Sequence, residues 1–232
     1  TEEEVVEDVK RVLDESHDDL RRLIETLTRV LRESLKRIKE ALEELERVLK
    51  KLLDLLEGGR DAREVLDEIR KVLERLREVI EELLRINKEV LRELERVIRE
   101  LLKKNEDLAR RVRSGVKSRL LEVLERLARE SLELNRAILE ELRKLVEKSL
   151  RAVEKILKRL EEIVRKLLKL VEDGGPREEV KRVLEEARDE LRRLLEEYKA
   201  IIEELERELE RLLREHREVI RRIKEEIDKS SK

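Results

Sequence analysis

Apolar residues recur along this chain at steps of three and four, the signature of one buried face on an amphipathic helix. The first stripe runs Val5, Val6, Val9, Val12, Leu13, then Leu20, Leu23, Ile24, Leu27, Val30, Leu31 and on to Leu56, interrupted by Ser16-His17 and Ser34. It predicts a helix over about 2–57. Thr1 with Glu4 makes a capping box at its start, and Gly58-Gly59 stops it through a cheap left-handed C-cap. Asp61 with Glu64 opens a second helix over about 61–113, closed at Ser114-Gly115. Ser118 is the N-cap expected for a third, over about 118–172. Gly174-Gly175-Pro176 ends that one, and Pro176 suits the first position of a fourth over about 176–228, because its missing N–H has no helical partner anyway. The polar tail 229–232 is expected to fray.

The stripes repeat at a spacing of 18. Leu191, Leu194, Leu195, Tyr198, Ile201, Ile202 and Leu205 are echoed 18 residues on by Leu209, Leu212, Leu213, His216, Val219, Ile220 and Ile223. The same offset separates Ser16 from Ser34, Asn87 from Asn105, and Ser131 from Ser149. Eighteen residues make about five whole turns at 3.6 residues per turn. Such a repeat calls for nearly straight helices, where a 7-residue repeat would supercoil left-handed and an 11-residue repeat right-handed. Each helix would be about 75 to 85 Å long. Connections of a few residues make sequential helices antiparallel neighbours. The expectation is an all-α, single-chain, up-down-up-down four-helix bundle, with 1–232 forming one rod-shaped domain.

Polar residues on the stripes gather at two heights. Ser34 lies 24 residues before Gly58, Asn87 28 after Gly59, Ser149 25 before Gly174 and Tyr198 23 after Gly175. A second level holds His17, Asn105, Ser131 and His216, at 41, 46, 43 and 41 residues from the same turns, with Ser16 and Asn135 close by. The helical rise puts the levels about 27 Å apart. A buried polar group without a partner costs roughly 1 to 3 kcal/mol, so grouping implies mutual hydrogen bonding. On that view Asn87→Leu alone should cost roughly 1 to 3 kcal/mol by orphaning its partners. In a bundle otherwise built of interchangeable Leu and Ile, such layers penalise slipped registers.

Composition sharpens the reading. Of 232 residues 52% are charged, yet the signs interleave to a net charge of -2, and the 39% that are hydrophobic are periodic, which favours ordered helix over disorder. Phe, Trp, Met and Cys are absent, and there is one Tyr and one Pro. Without Cys there is no disulfide, thiolate metal site or thiol nucleophile. A nearly neutral chain with no Lys/Arg block predicts no nucleic-acid partner. The lack of a long apolar run predicts no membrane span, and the acidic start does not read as a targeting segment. Localisation is not indicated. Lipid-surface helices would need aromatic anchors and a basic face, which these lack.

Candidate chemistry is sparse. His17 and His216 share one height, and Asp14 stands three residues before His17, distantly like the Glu-x-x-His of di-iron bundles. The match fails at Leu213, three before His216, and no stripe position on the second or third helix supplies an inward carboxylate. Ser16-His17-Asp18 has the letters of a hydrolase triad, but adjacent helical residues point about 100° apart and cannot form a relay. The glycine pairs follow helices and lack a phosphate-loop pattern. No catalytic, cofactor-binding or metal residues are assigned, and no cofactor or small-molecule ligand is expected. The histidines are expected to be buried and neutral, and two units of depression on both would remove at most about 5 kcal/mol of stability in acid.

The 18-residue echoes, the Gly-Gly turns, the Glu-Leu-Glu-Arg surface and the two polar layers give the whole chain a resemblance to computationally designed, parametric helical bundles with buried hydrogen-bond networks. That resemblance implies a structural scaffold with no natural biochemical function and no enzymatic activity, whose polar layers specify helix register and pairing. It would be a monomer, or a hairpin-swapped dimer. The alternative is an association module in which hairpin 1–113 pairs with hairpin 116–232 or with a partner chain.

Overall fold

The computed structural model describes residues 1–59, 63–115 and 119–231. Among these the protein is all-α, with α1 Glu2–Glu57, α2 Arg63–Gly115, α3 Leu120–Glu172 and α4 Arg177–Ser231. The expected caps Asp61 and Ser118 lie outside the described residues.

The helix ends are made by local hydrogen bonds. Thr1 Oγ1 accepts from the Glu4 amide at 3.3 Å, and the Glu4 carboxylate lies 3.5 Å from the Thr1 amine, the two halves of a capping box. At the far end of α3 the Gly175 amide donates to the Leu170 carbonyl at 3.0 Å and the Gly174 amide to Val171 at 3.2 Å. With Gly174 at φ 66°, this is a Schellman cap, which satisfies carbonyls the helix leaves open. Gly59, at φ 77°, plays the same part after α1. Pro176 sits one residue ahead of α4, where its carbonyl accepts from Glu179 and Val180 at 3.0 Å each.

Two helices run past their predicted ends. α2 continues through Ser114, whose hydroxyl donates to the Arg111 carbonyl at 3.2 Å. α4 reaches Ser231, whose hydroxyl donates to Ile227 at 2.7 Å, while Lys229 sits in the last turn, at the negative end of the helix dipole.

Contacts divide the chain into two compact units. The first comprises Thr1–Arg29, Lys88–Val146 and Leu205–Lys232. Its core joins Val9 and Leu13 of α1, Val112 of α2, Leu124 of α3 and Ile223 and Ile227 of α4. Around it Asp8 pairs with Arg111 and Asp19 with Lys104; Arg126 pairs with Glu226 and Glu130 with Arg222; Lys10 pairs with Asp228 and Asp14 with Lys224. In each couple of helices the partner's number falls as the other rises.

The second unit comprises Val30–Asn87 and Glu147–Glu204. Ile38, Leu45, Ile80, Val153, Leu160 and Leu184 are wholly buried in it. The same falling order holds: Arg37 with Glu82, Glu44 with Arg75 and Lys51 with Glu68; Arg70 with Glu172 and Arg77 with Glu161; Lys148 with Glu204 and Arg159 with Glu190; Glu46 with Arg192 and Glu57 with Lys181. No large apolar side chain is exposed among the described residues.

Candidate functional site: two buried polar layers

Each unit holds one set of buried polar side chains, and each set draws on all four helices. In the second unit these are Ser34 of α1, Asn87 of α2, Ser149 of α3 and Tyr198 of α4, none more than 2% exposed. Asn87 Nδ2 donates to the Leu83 carbonyl of its own helix at 2.7 Å. Burial pushes the Tyr198 phenol well above its ordinary range, opposed by the Ser34 and Ser149 hydroxyls. Those hydroxyls are near enough to ease its ionisation, yet none of the three oxygens has a partner in full hydrogen-bond geometry. The layer gathers the groups and leaves their bonds unclosed. The expected orphaning of partners by Asn87→Leu is therefore corrected, because the bond that Asn87 makes is to a carbonyl of its own helix.

In the first unit Ser16 of α1, Asn105 of α2, Ser131 and Asn135 of α3 and His216 of α4 are buried, and His17 of α1 is half-buried. His17 Nδ1 meets His216 Nδ1 at 2.9 Å, and His216 Nε2 meets Asn135 Oδ1 at 2.8 Å. An amide oxygen can only accept, so His216 carries its proton on Nε2 and donates it to Asn135. Its Nδ1 then bears a lone pair and accepts from Nδ1–H of His17. The tautomers follow from this network. Neither end of the Asn105 amide has a partner, and the same holds for Asn135 Nδ2 and the Ser16 and Ser131 hydroxyls.

The two imidazoles lie edge to edge, not face to face. Their centroids are 5.2 Å apart with planes inclined by 10°, and the centroid separation exceeds the nitrogen separation by two ring radii. That excess is the largest possible, reached only when the two nitrogens point straight at each other. Burial lowers the His216 pKa to about 4, with the proximity of His17 adding to the effect. His17 is also lowered, first by burial and then by Arg217 and Arg21, with Asp18 and Asp14 opposing. Asp14 is engaged by Lys224 at 3.0 Å and Asp18 faces Arg21 at 3.7 Å, so neither carboxylate is committed to His17.

The helical stripe placed these residues inward, but nothing in it announced the in-line approach of the rings, which depends on rotamers. Sequence reasoning also passed over Arg188, whose Nε is buried without a partner, because its charge reads as surface. Ser16, His17 and Asp18 form no relay, since the Ser16 hydroxyl has no partner and His17 turns Nδ1 to His216. Among the described residues no three His, Cys, Asp or Glu side chains are grouped to hold a metal ion, and no helix is long and apolar enough to cross a membrane. No protein-family model and no curated protein matches the chain.

Proposed function

We propose that the chain is a computationally designed scaffold, an up-down-up-down antiparallel four-helix bundle whose two polar layers specify helix register and pairing and which carries out no catalysis. The observation that carries this reading is the pair of polar sets, one per unit, each with contributions from all four helices at the 18-residue offset. The falling order of partner numbers between α1 and α2, α2 and α3, α3 and α4, and α4 and α1 supports the antiparallel arrangement. The absence of exposed large apolar side chains among the described residues favours a monomer.

Register can be read by cross-linking, since the chain has no cysteine of its own. Glu46 and Arg192 meet only at the ends of long side chains. Glu46→Cys with Arg192→Cys should therefore be joined by a short bis-maleimide cross-linker and not directly, whereas Glu46→Cys with Lys199→Cys, two turns away, should not be joined. When all the layer residues are replaced by apolar ones, both pairs should close. If the apolar variant stays as selective as the parent, the layers do not set register.

A second reading is an association module made of two hairpins. It is favoured by the fact that each hairpin supplies two helices to each unit and half of each polar layer. Tight, selective recombination of 1–113 with 116–232 supports it, and aggregation of the separate halves removes it.

A further inference from the structure

We propose that His17 and His216 form a two-coordinate site for a soft monovalent cation, copper(I) or silver(I), held in line between their Nδ1 atoms. The geometry selects the ion. Two imidazole nitrogens 2.9 Å apart and pointing straight at each other already hold one proton between them. A d10 monovalent ion favours this linear arrangement of two neutral ligands. Zinc(II) instead wants about four ligands in a tetrahedron. Among the described residues no His, Cys, Asp or Glu side chain is grouped with the two histidines into a three-ligand site, and the nearby Asp14 and Asp228 are held by Lys224 and Lys10. Charge points the same way. The cost of placing an ion in a buried site rises with the square of its charge, and neither ligand here is anionic, so a monovalent ion is much the less costly guest.

The surroundings are those of a metal-binding histidine. A ligating imidazole characteristically donates its other ring N–H to a carbonyl or carboxylate, which fixes the tautomer and aims the lone pair. His216 does this through Nε2 to Asn135 Oδ1 at 2.8 Å, wholly buried. Metal–imidazole bonds of roughly 2 Å need the nitrogens roughly 4 Å apart, so the rings must separate by about 1 Å. His17 can give way, because it is half-buried and borders a groove of about 400 Å³ between α1 and α4, lined by Asp14, Glu225 and Asp228 and by Arg217, Arg221 and Lys224. On binding, two nitrogen–metal bonds form, the Nδ1–H bond of His17 breaks, and its proton returns through water to Nε2 of the same ring. No net proton, electron or co-reactant is required. The inference rests on the histidine geometry and does not depend on the scaffold reading.

The absence of Cys and Met removes every competing sulfur ligand. The intact chain is titrated at pH 7.5 with silver nitrate, and under argon with copper(I) against a chromophoric chelator. One equivalent should bind, with two nitrogen neighbours by X-ray absorption. His17→Ala, His17→Gln and His216→Leu should each weaken binding roughly 100-fold or more, through loss of the pre-positioned second ligand. Circular dichroism of each variant checks the fold, and the half-buried His17 substitutions decide the matter if His216→Leu fails to fold. Failure of the parent to take up either ion, equal binding by a folded single variant, or tighter binding of zinc(II) than of copper(I) overturns the proposal.

Discussion

His216 has no exposed surface, and its imidazole is held to about 4, first by burial and then by His17. An unfolded histidine takes up its proton near about 6.5. The unfolded chain therefore binds more protons, so this stability is complete above about pH 6.5 and is lost as the pH falls toward 4. Around pH 5 the loss should be about 2 kcal/mol. The measurement is the guanidinium midpoint at pH 7.5 and 5.0, for the parent and for His216→Leu. If both fall equally, His216 titrates as an exposed residue. The expectation that both histidines are buried is corrected for His17, which is half-buried, so the ceiling of about 5 kcal/mol for two units on both is not approached. In the other layer, Tyr198→Phe deletes a buried hydroxyl that has no full partner. It should leave stability unchanged or raise it by up to about 1 kcal/mol, and Asn87→Leu should cost less than about 1 kcal/mol. A loss above about 1 kcal/mol for Tyr198→Phe would show that its hydroxyl is bonded in solution. Burial of Ser34, Asn87, Ser149 and Tyr198 was legible because stripe position alone decides it. Their bonds were not, because a side-chain amide or hydroxyl can turn to its own backbone, as Asn87 does, and periodicity does not specify rotamers.

At the scale of the helix, the ends are the informative places. Gly174 adopts φ 66°, and a Cβ added there would meet nothing within 4 Å. The cost of Gly174→Ala is therefore backbone strain alone, about 1 to 2 kcal/mol, read as a lower denaturant midpoint. A neutral result would mean that α3 ends in another conformation. The existence and stopping points of α1 and α3 were readable, because a long stripe followed by Gly-Gly leaves few alternatives. The end of α2 was harder to place. Ser114-Gly115 is a weaker stop than a glycine pair, and the serine hydroxyl lends one more local bond to the last turn. The tail of α4 was misjudged for a related reason: Ser231 bonds back to Ile227, which holds a turn that composition alone marks as loose.

For the whole chain, stripes buried without an exposed large apolar residue among those described predict unfolding above about 90 °C, followed by circular dichroism. A melt below that would count against the design reading. The two units also differ in how far apart in sequence their α1 and α4 partners lie. In the second, Glu46 of α1 meets Arg192 of α4 across 146 positions. In the first, His17 meets His216 across 199 and Asp14 meets Lys224 across 210. Closing a longer loop costs more entropy before any contact rewards it. Folding should therefore zip outward from the two glycine turns and bring α1 against α4 in the first unit late. Leu52→Ala, close to the first turn, should slow refolding in stopped flow, while Ile220→Ala should leave refolding nearly unchanged and speed unfolding. The reverse pattern would place the nucleus in the first unit. The separation of 199 positions across the histidine bridge thus becomes a statement about time: the lifetime of the folded chain should be governed by the contacts of α1 with α4 around His17 and His216.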